Sequence, residues 1–279
     1  MNPDGTIAVP RNARSSPVDG WSPGSLLREL RGRALVPEDS LAVCNVGSVA
    51  RGWSNHGSDL DFNVVSRNAW KHGEGHGFPV PLVPDRVPTA FFLGHGHRWE
   101  IKYWTEGQVS QILAKVAWSR FEEGGTAPDK VLSEAEELFI ERCVTGIPME
   151  GDEWIEGRRR EIDGSAFRAI VVTRSLTRSD GYVEDALGQL SVDDLPSAVL
   201  SARSAFGHAV DALLESHGCY GSSIPKWRAR RYGEISTEVL SYDEYWALET
   251  MRDYDPTAPG RWVREVISVC RRISSAIEL

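Results

Sequence analysis

The feature that most constrains this chain is a change of rhythm near residue 105. Before it, apolar residues come in short runs and alternate at period two, as in LAVCNV (41–46), LDFNVVS (60–66) and TAFFLGHGHRWEIKYW (89–104). After it they recur every three or four residues, as in EGQVSQILAKVAWS, KVLSEAEELFIERCV and VDDLPSAVLSARSAFGHAVDALLESHG. Period two puts successive side chains on opposite faces of a strand, whereas period 3.6 paints a stripe along a helix. A chain that switches once fits an α+β domain followed by an all-helical one. The stretch VTGIPMEGD is the natural seam, giving an irregular Pro-, Gly- and Ser-containing arm at 1–20 and domains at 21–145 and 146–279. Ahead of the strands, SPGSLLRELRGRAL opens with a Ser-Pro helix start and spaces Leu26, Leu27 and Leu30 helically. The stretch 68–88 is rich in Gly, Pro and His and reads as a long loop.

Composition narrows the partners. The formal net charge of −9 argues against a broad nucleic-acid coat, which needs a basic face, though not against a local basic pocket. Cys44, Cys143, Cys219 and Cys270 are scattered with no CxxC pair, so neither a zinc ribbon nor a redox pair is expected. They read as reduced thiols of a cytoplasmic protein. The first residues lack the apolar core of a signal peptide. No apolar run approaches the roughly 18 residues of a membrane span.

The chemistry concentrates in NVGSVARGWSNHGSDLDFNVVS (45–66). Asp59 and Asp61 are two residues apart at the start of a strand, so both point to one side and repel each other. A hard divalent cation, most naturally Mg²⁺, makes such a pair useful. Glu100 lies on the polar face of the later strand with Lys102 and Trp104, while Trp99, Ile101 and Tyr103 share the other face. If the two strands are neighbours, three carboxylates converge, as metal-assisted phosphoryl transfer requires. Gly47 and Ser48 form a turn whose amides and hydroxyl suit phosphate oxygens.

GS, a loop, and then SDLD resembles the signature of the DNA polymerase β-type nucleotidyltransferase superfamily, near its antibiotic (aminoglycoside) adenylyltransferase and minimal-nucleotidyltransferase branch. RWEIKYW is similar to that branch's third acidic strand, and the helical half with PKWRARR resembles the helical domain of the aminoglycoside enzymes. The resemblance implies a mixed sheet with flanking helices, followed by helices. It implies an enzyme that transfers a nucleoside monophosphate, AMP from ATP first of all, to a hydroxyl of an antibiotic or a biosynthetic intermediate. Asp59 and Asp61 would hold Mg²⁺, Gly47 and Ser48 would contact the β- and γ-phosphates, and Glu100 would be a third ligand or the general base. Ser58 would order the loop and reach phosphate. Lys226 would reach the triphosphate, with Arg230 a further phosphate contact.

Other features are read more plainly. Arg51 is either a phosphate contact or the partner of a nearby carboxylate. KWRARR gathers Lys226, Arg228, Arg230 and Arg231 in an acidic chain, where guanidinium groups suit phosphates. The histidines of HGEGH and GHGH lack a Cys or acidic partner at zinc-ligand spacing, and His56 is a loop residue. Trp118 and Trp246 read as core, as do Trp70, Trp99 and Trp104, which could instead line an acceptor pocket. Glu184 and Asp185 could receive a cationic acceptor. Two other functions fit the same motif: a toxin–antitoxin enzyme modifying protein or RNA, and a catalytically silent nucleotide-binding module.

Overall fold

The computed structural model describes residues 22–70 and 76–278. The expected arm at 1–20 and most of HGEGH (72–76) lie outside the described residues. The chain divides into two compact units, one running to Ala166 and the other from Phe167.

The first unit begins with α1 (Pro23–Gly32). Ser22 caps it through a reciprocal pair with Ser25, and Pro23 occupies the first turn, where its missing N–H costs nothing. Then come β1 (Ser40–Val46), α2 (Gly47–Ala50), β2 (Leu60–Ser66), β3 (Gly77–Pro79), β4 (Arg86–Gly94) and β5 (His97–Thr105). The helices α3 (Glu106–Lys115), α4 (Trp118–Glu123) and α5 (Glu134–Thr145), the short strand β6 (Ile147–Glu150) and α6 (Asp152–Asp163) complete the unit. The sheet runs β3-β4-β5-β2-β1-β6. It is mixed: β2 and β5 lie parallel at its centre, and the other neighbours are antiparallel.

Strand alternation divides the sheet's work. Leu60, Phe62 and Val64 of β2 and Trp99, Ile101 and Tyr103 of β5 bury one face with Leu26 and Leu30 of α1. Trp99 stacks between Phe62 and Phe92, at ring-centroid distances of 5.2 and 5.0 Å. With that face fixed by apolar burial, a one-residue slip would turn every side chain over. The opposite face is therefore obliged to carry Asp61, Asn63, Glu100 and Lys102.

Three expectations are corrected. The stretch at 68–88 is not all loop, because Gly77–Pro79 pairs with β4. The first unit does not stop at 145. β6 pairs antiparallel with β1, placing Pro148 opposite Cys44, and α6 follows it. A four-residue edge strand containing proline leaves no period-two signal in a helical neighbourhood. Trp118 and Trp246 are not core residues: both are more than two-fifths exposed.

The second unit is helical: α7 (Phe167–Ser191), α8 (Leu195–Ser216), α9 (Arg228–Tyr232), α10 (Tyr242–Glu249) and α11 (Pro259–Ala276). Ala198, Ala202, Ala205 and Ala209 make a small-residue row on α8 that is wholly buried. On α11, Trp262, Val263, Val266, Ile267, Cys270 and Ile273 form the facing helical stripe of the same core. Among the described residues no helix is long and apolar enough to cross a membrane.

Candidate active site

The parallel register of β2 and β5 sets Asp61 directly beside Glu100, and Asn63 beside Lys102. The strands thus present a ladder of polar rungs on the face away from the aromatic core. One step before the Asp61–Glu100 rung, Arg98 forms an ion pair with Asp59.

The Asp61–Glu100 rung is the unusual one. Two carboxylates stand in hydrogen-bond contact on a strand pair, with side-chain exposures of only 16% and 20%. Like charges directly opposite each other destabilise a sheet. Burial pushes the Asp61 carboxyl up to about 6 against the pull of Arg142, and the Glu100 carboxylate adds to the rise. Glu100 goes the other way. Burial opposes its charge, but Lys102, the hydrogen bond with Asp61 and Arg142 together bring it below the usual range. Of the two, Asp61 is therefore the group that takes up a proton first as the pH falls, while Glu100 stays ionised.

Two cations attend the rung loosely. Arg142 of α5 lies 3.5 Å from Asp61 and Lys102 lies 3.3 Å from Glu100. Burial and the neighbouring Arg142 charge depress the Lys102 ammonium, against the two carboxylates.

Gly47 completes the site from the β1 side. Its φ of +73° is left-handed, and a Cβ there would come within 2.6 Å of Asp61 Oδ2. Glycine is required both for the turn and for the close approach of backbone to carboxylate. Ser48 follows it on α2, which Gly47 opens immediately after β1.

The remaining expected site residues are placed as follows. Ser58 orders the loop: its hydroxyl accepts from the Asn55 amide at 2.9 Å, and its carbonyl faces His97 Nδ1 at 3.3 Å. Arg51 pairs with Glu141 at 2.7 Å and lies over the Trp53 ring at 4.6 Å. His95 stands 3.3 Å from Glu29. Trp104 is buried against Phe139, and Trp70 stacks on Tyr103. Lys226, Arg230, Glu184 and Asp185 are exposed residues of the second unit. Arg228 and Arg231 are clamps, both bound to Asp211 inside that unit.

The carboxylates offer the hard oxygen donors that a divalent cation takes. Asp61 and Glu100 fit it as a pair, and the raised Asp61 carboxyl marks how unfavourable a buried charge is there beside a second carboxylate. Asp59 belongs to the same row, but its carboxylate is turned to Arg98. Accordingly, no group of three or more His, Cys, Asp or Glu residues stands ready for a metal ion among the described residues.

Arg98 and Arg142 were not singled out in the sequence. Arg98 is two residues before Glu100 and shares its face, so the period of the strand contained it once the pairing of β2 with β5 was known. Arg142 reaches the site from a helix more than forty residues further on, and nothing local marks it.

No protein-family model matches the chain, and no curated protein matches it. Among solved structures it is similar to a nucleotidyltransferase-like protein from Exiguobacterium sibiricum 255-15. The match covers 89% of this chain and 73% of that one, at 8% identity and a TM-score of 0.47. A likeness that loose carries no functional weight, and the rung of carboxylates speaks for itself.

Proposed function

We propose that this chain is a Mg²⁺-dependent nucleotidyltransferase that moves AMP from ATP to a hydroxyl of a small molecule, such as an antibiotic or a biosynthetic intermediate, and releases pyrophosphate. One observation carries the reading: Asp61, paired with Glu100 across the strands, lies against Gly47 at the head of the Gly-Ser turn, where Gly47 has no side chain to keep the carboxylate away. The motif resemblance supports the same chemistry.

The residues divide the work. Gly47 and Ser48 hold the β- and γ-phosphates through backbone amides and a hydroxyl. Asp61 and Glu100 would hold the divalent cation, with Asp59 of the same row as a further candidate donor. When bound, that cation supplies charge neutralisation to the phosphates. The acceptor oxygen bonds to the α-phosphorus, the bond from that phosphorus to the β-bridging oxygen breaks, and pyrophosphate leaves with its electrons. Glu100 takes the hydroxyl proton or completes the cation's donor set. Lys102 keeps Glu100 ionised, which both roles require.

The Asp59–Arg98 pair favours one second reading, a nucleotide-binding module without turnover, because the third carboxylate is engaged elsewhere. Pyrophosphate release from ATP, measured across a panel of hydroxyl-bearing small molecules, separates the two. Turnover that is lost in Glu100→Gln supports the enzyme. Nucleotide binding with no release under any acceptor supports the module.

A further inference from the structure

A pocket of about 360 Å³ opens beside the carboxylate rung, lined by Asn63, Lys102 and Arg142 and walled by Phe78, Trp104 and Phe139. Its position follows from the strand registers. Asp61 pairs with Val46, so the Gly47–Ser48 turn lies beyond the rung toward Asp59. Asn63 and Lys102 form the next rung in the opposite direction. The turn and the pocket therefore flank the Asp61–Glu100 pair on opposite sides.

In phosphoryl transfer the attacking and leaving oxygens stand roughly in line through the reacting phosphorus. If the Gly47–Ser48 turn holds the departing pyrophosphate, the nucleophile enters from the other side, where the pocket is. The volume is at the small end of ligand sites, which span about 300–1,000 Å³. It admits a molecule of one or two rings.

The lining also selects charge. Lys102 and Arg142 are the counter-ions of Glu100 and Asp61. Lys102 and Arg142 both line the pocket, and their charge would be freed for a ligand there if Asp61 and Glu100 were neutralised by a divalent cation. Glu134, an exposed residue at the start of α5, is the acidic residue in the lining and does not balance two cations. The lining residues also hold spare hydrogen-bonding capacity: Asn63 Oδ1, Trp104 Nε1 and Arg142 Nε are buried without a hydrogen-bond partner. Phe78 stands edge-on to Trp104 at 6.0 Å, and Lys102 Nζ lies 5.7 Å from the Phe78 ring centroid. Such walls favour a planar body.

Resting on the nucleotidyltransferase reading, we infer that this pocket is the acceptor site, and that the acceptor is a small hydroxyl-bearing aromatic molecule with a negatively charged group, not a polycationic sugar.

The test is titration calorimetry of the whole chain with Mg²⁺ and three matched probes: 4-hydroxyphenylacetate (anionic), tyrosol (neutral) and tyramine (cationic). The acid binds about tenfold more tightly than tyrosol, a difference typical of a close charge pair, and tyramine binds most weakly. Lys102→Met and Arg142→Gln each remove that preference. Tyramine binding as tightly as the acid overturns the inference, as does no binding of the acid at millimolar concentration. Competition by adenosine against the acid also overturns it, because the pocket would then hold the donor's base. The titrations do not depend on turnover. If the order of the three probes holds but Mg·ATP does not bind the chain, the pocket's preference for anions stands and the acceptor role falls with the function it rests on.

Discussion

Each of the two units buries a cluster of charges, and the clusters are built on opposite plans. In the helical unit, Asp211 accepts two hydrogen bonds from Arg228, at 3.1 and 2.8 Å, and one from Arg231 at 2.7 Å. Asp211 and Arg231 are 2% and 1% exposed. Opposite charges meet there in forked, close geometry, and the carboxylate oxygens are saturated. In the sheet unit, two carboxylates face each other, and their counter-ions stand off at 3.3 and 3.5 Å. The first plan offsets the desolvation of charge with ideal partners. The second leaves like charges together with their partners held at a distance, which serves stability poorly and serves a cation well. A basic run such as KWRARR can thus be half structural, whereas a buried carboxylate pair such as Asp61 and Glu100, whose counter-ions stand off after folding, points to a ligand.

Breaking the saturated cluster has the largest effect. Asp211→Ala strands the buried Arg231 guanidinium and takes the closest partner from Arg228, and the helical unit loses about 3–5 kcal/mol, readable by urea denaturation. Asp61→Asn, by contrast, removes a like-charge contact and leaves stability unchanged or raised. If Asp211→Ala were as mild as Asp61→Asn, the contrast between the two clusters would fail.

Glu215 sharpens the comparison through pH. Burial, with Asp211 adding to it, pushes its carboxyl up to about 8, against hydrogen bonds from Ser175 and Ser222 and the charge of Arg174. The Arg174 guanidinium is 3.7 Å away, too far for a hydrogen bond. A carboxyl with a raised folded-state value holds its proton in the folded chain after the unfolded chain has lost it. Its contribution is complete below about 4.5 and is lost as pH rises toward about 8. Over that window stability falls by up to ~1.4 kcal/mol per pH unit. Denaturation at several pH values shows the slope in the native chain and its loss in Glu215→Gln. A Gln variant that keeps the slope would place the titration elsewhere.

A small stability effect with a larger effect on binding lies at the Asp59–Arg98 pair. Arg98 is 57% exposed and its pair with Asp59 is screened by solvent, so Arg98→Ala leaves stability nearly unchanged. Freeing the Asp59 carboxylate should nonetheless tighten Mg²⁺ binding, measured by calorimetry. Weaker binding would show that Arg98 assists the site instead of restraining it.

Much of this was legible in the chain. The period of LDFNVVS and RWEIKYW put Asp61 and Glu100 on the polar faces of their strands, because apolar burial of Phe62 and Trp99 permits no other register. The Gly-Ser turn before the acidic pair was legible too, since only glycine allows that backbone to meet a carboxylate. What stayed hidden depends on distant packing. β6 is too short and too proline-bound to show a period. Arg142 reaches Asp61 only because α5 packs on the sheet. Arg228 and Arg231 read as phosphate ligands until Asp211, on a different helix, is seen to hold them.

The most direct measurement is a thermal shift with ATP, with and without Mg²⁺, on the native chain and on Asp61→Asn. Stabilisation is expected to need both ATP and Mg²⁺ and to vanish in the variant, while the ligand-free variant melts no lower than the native chain. A shift that persists in Asp61→Asn, or that needs no metal, would contradict the claim that the paired carboxylates exist to hold a cation and its nucleotide.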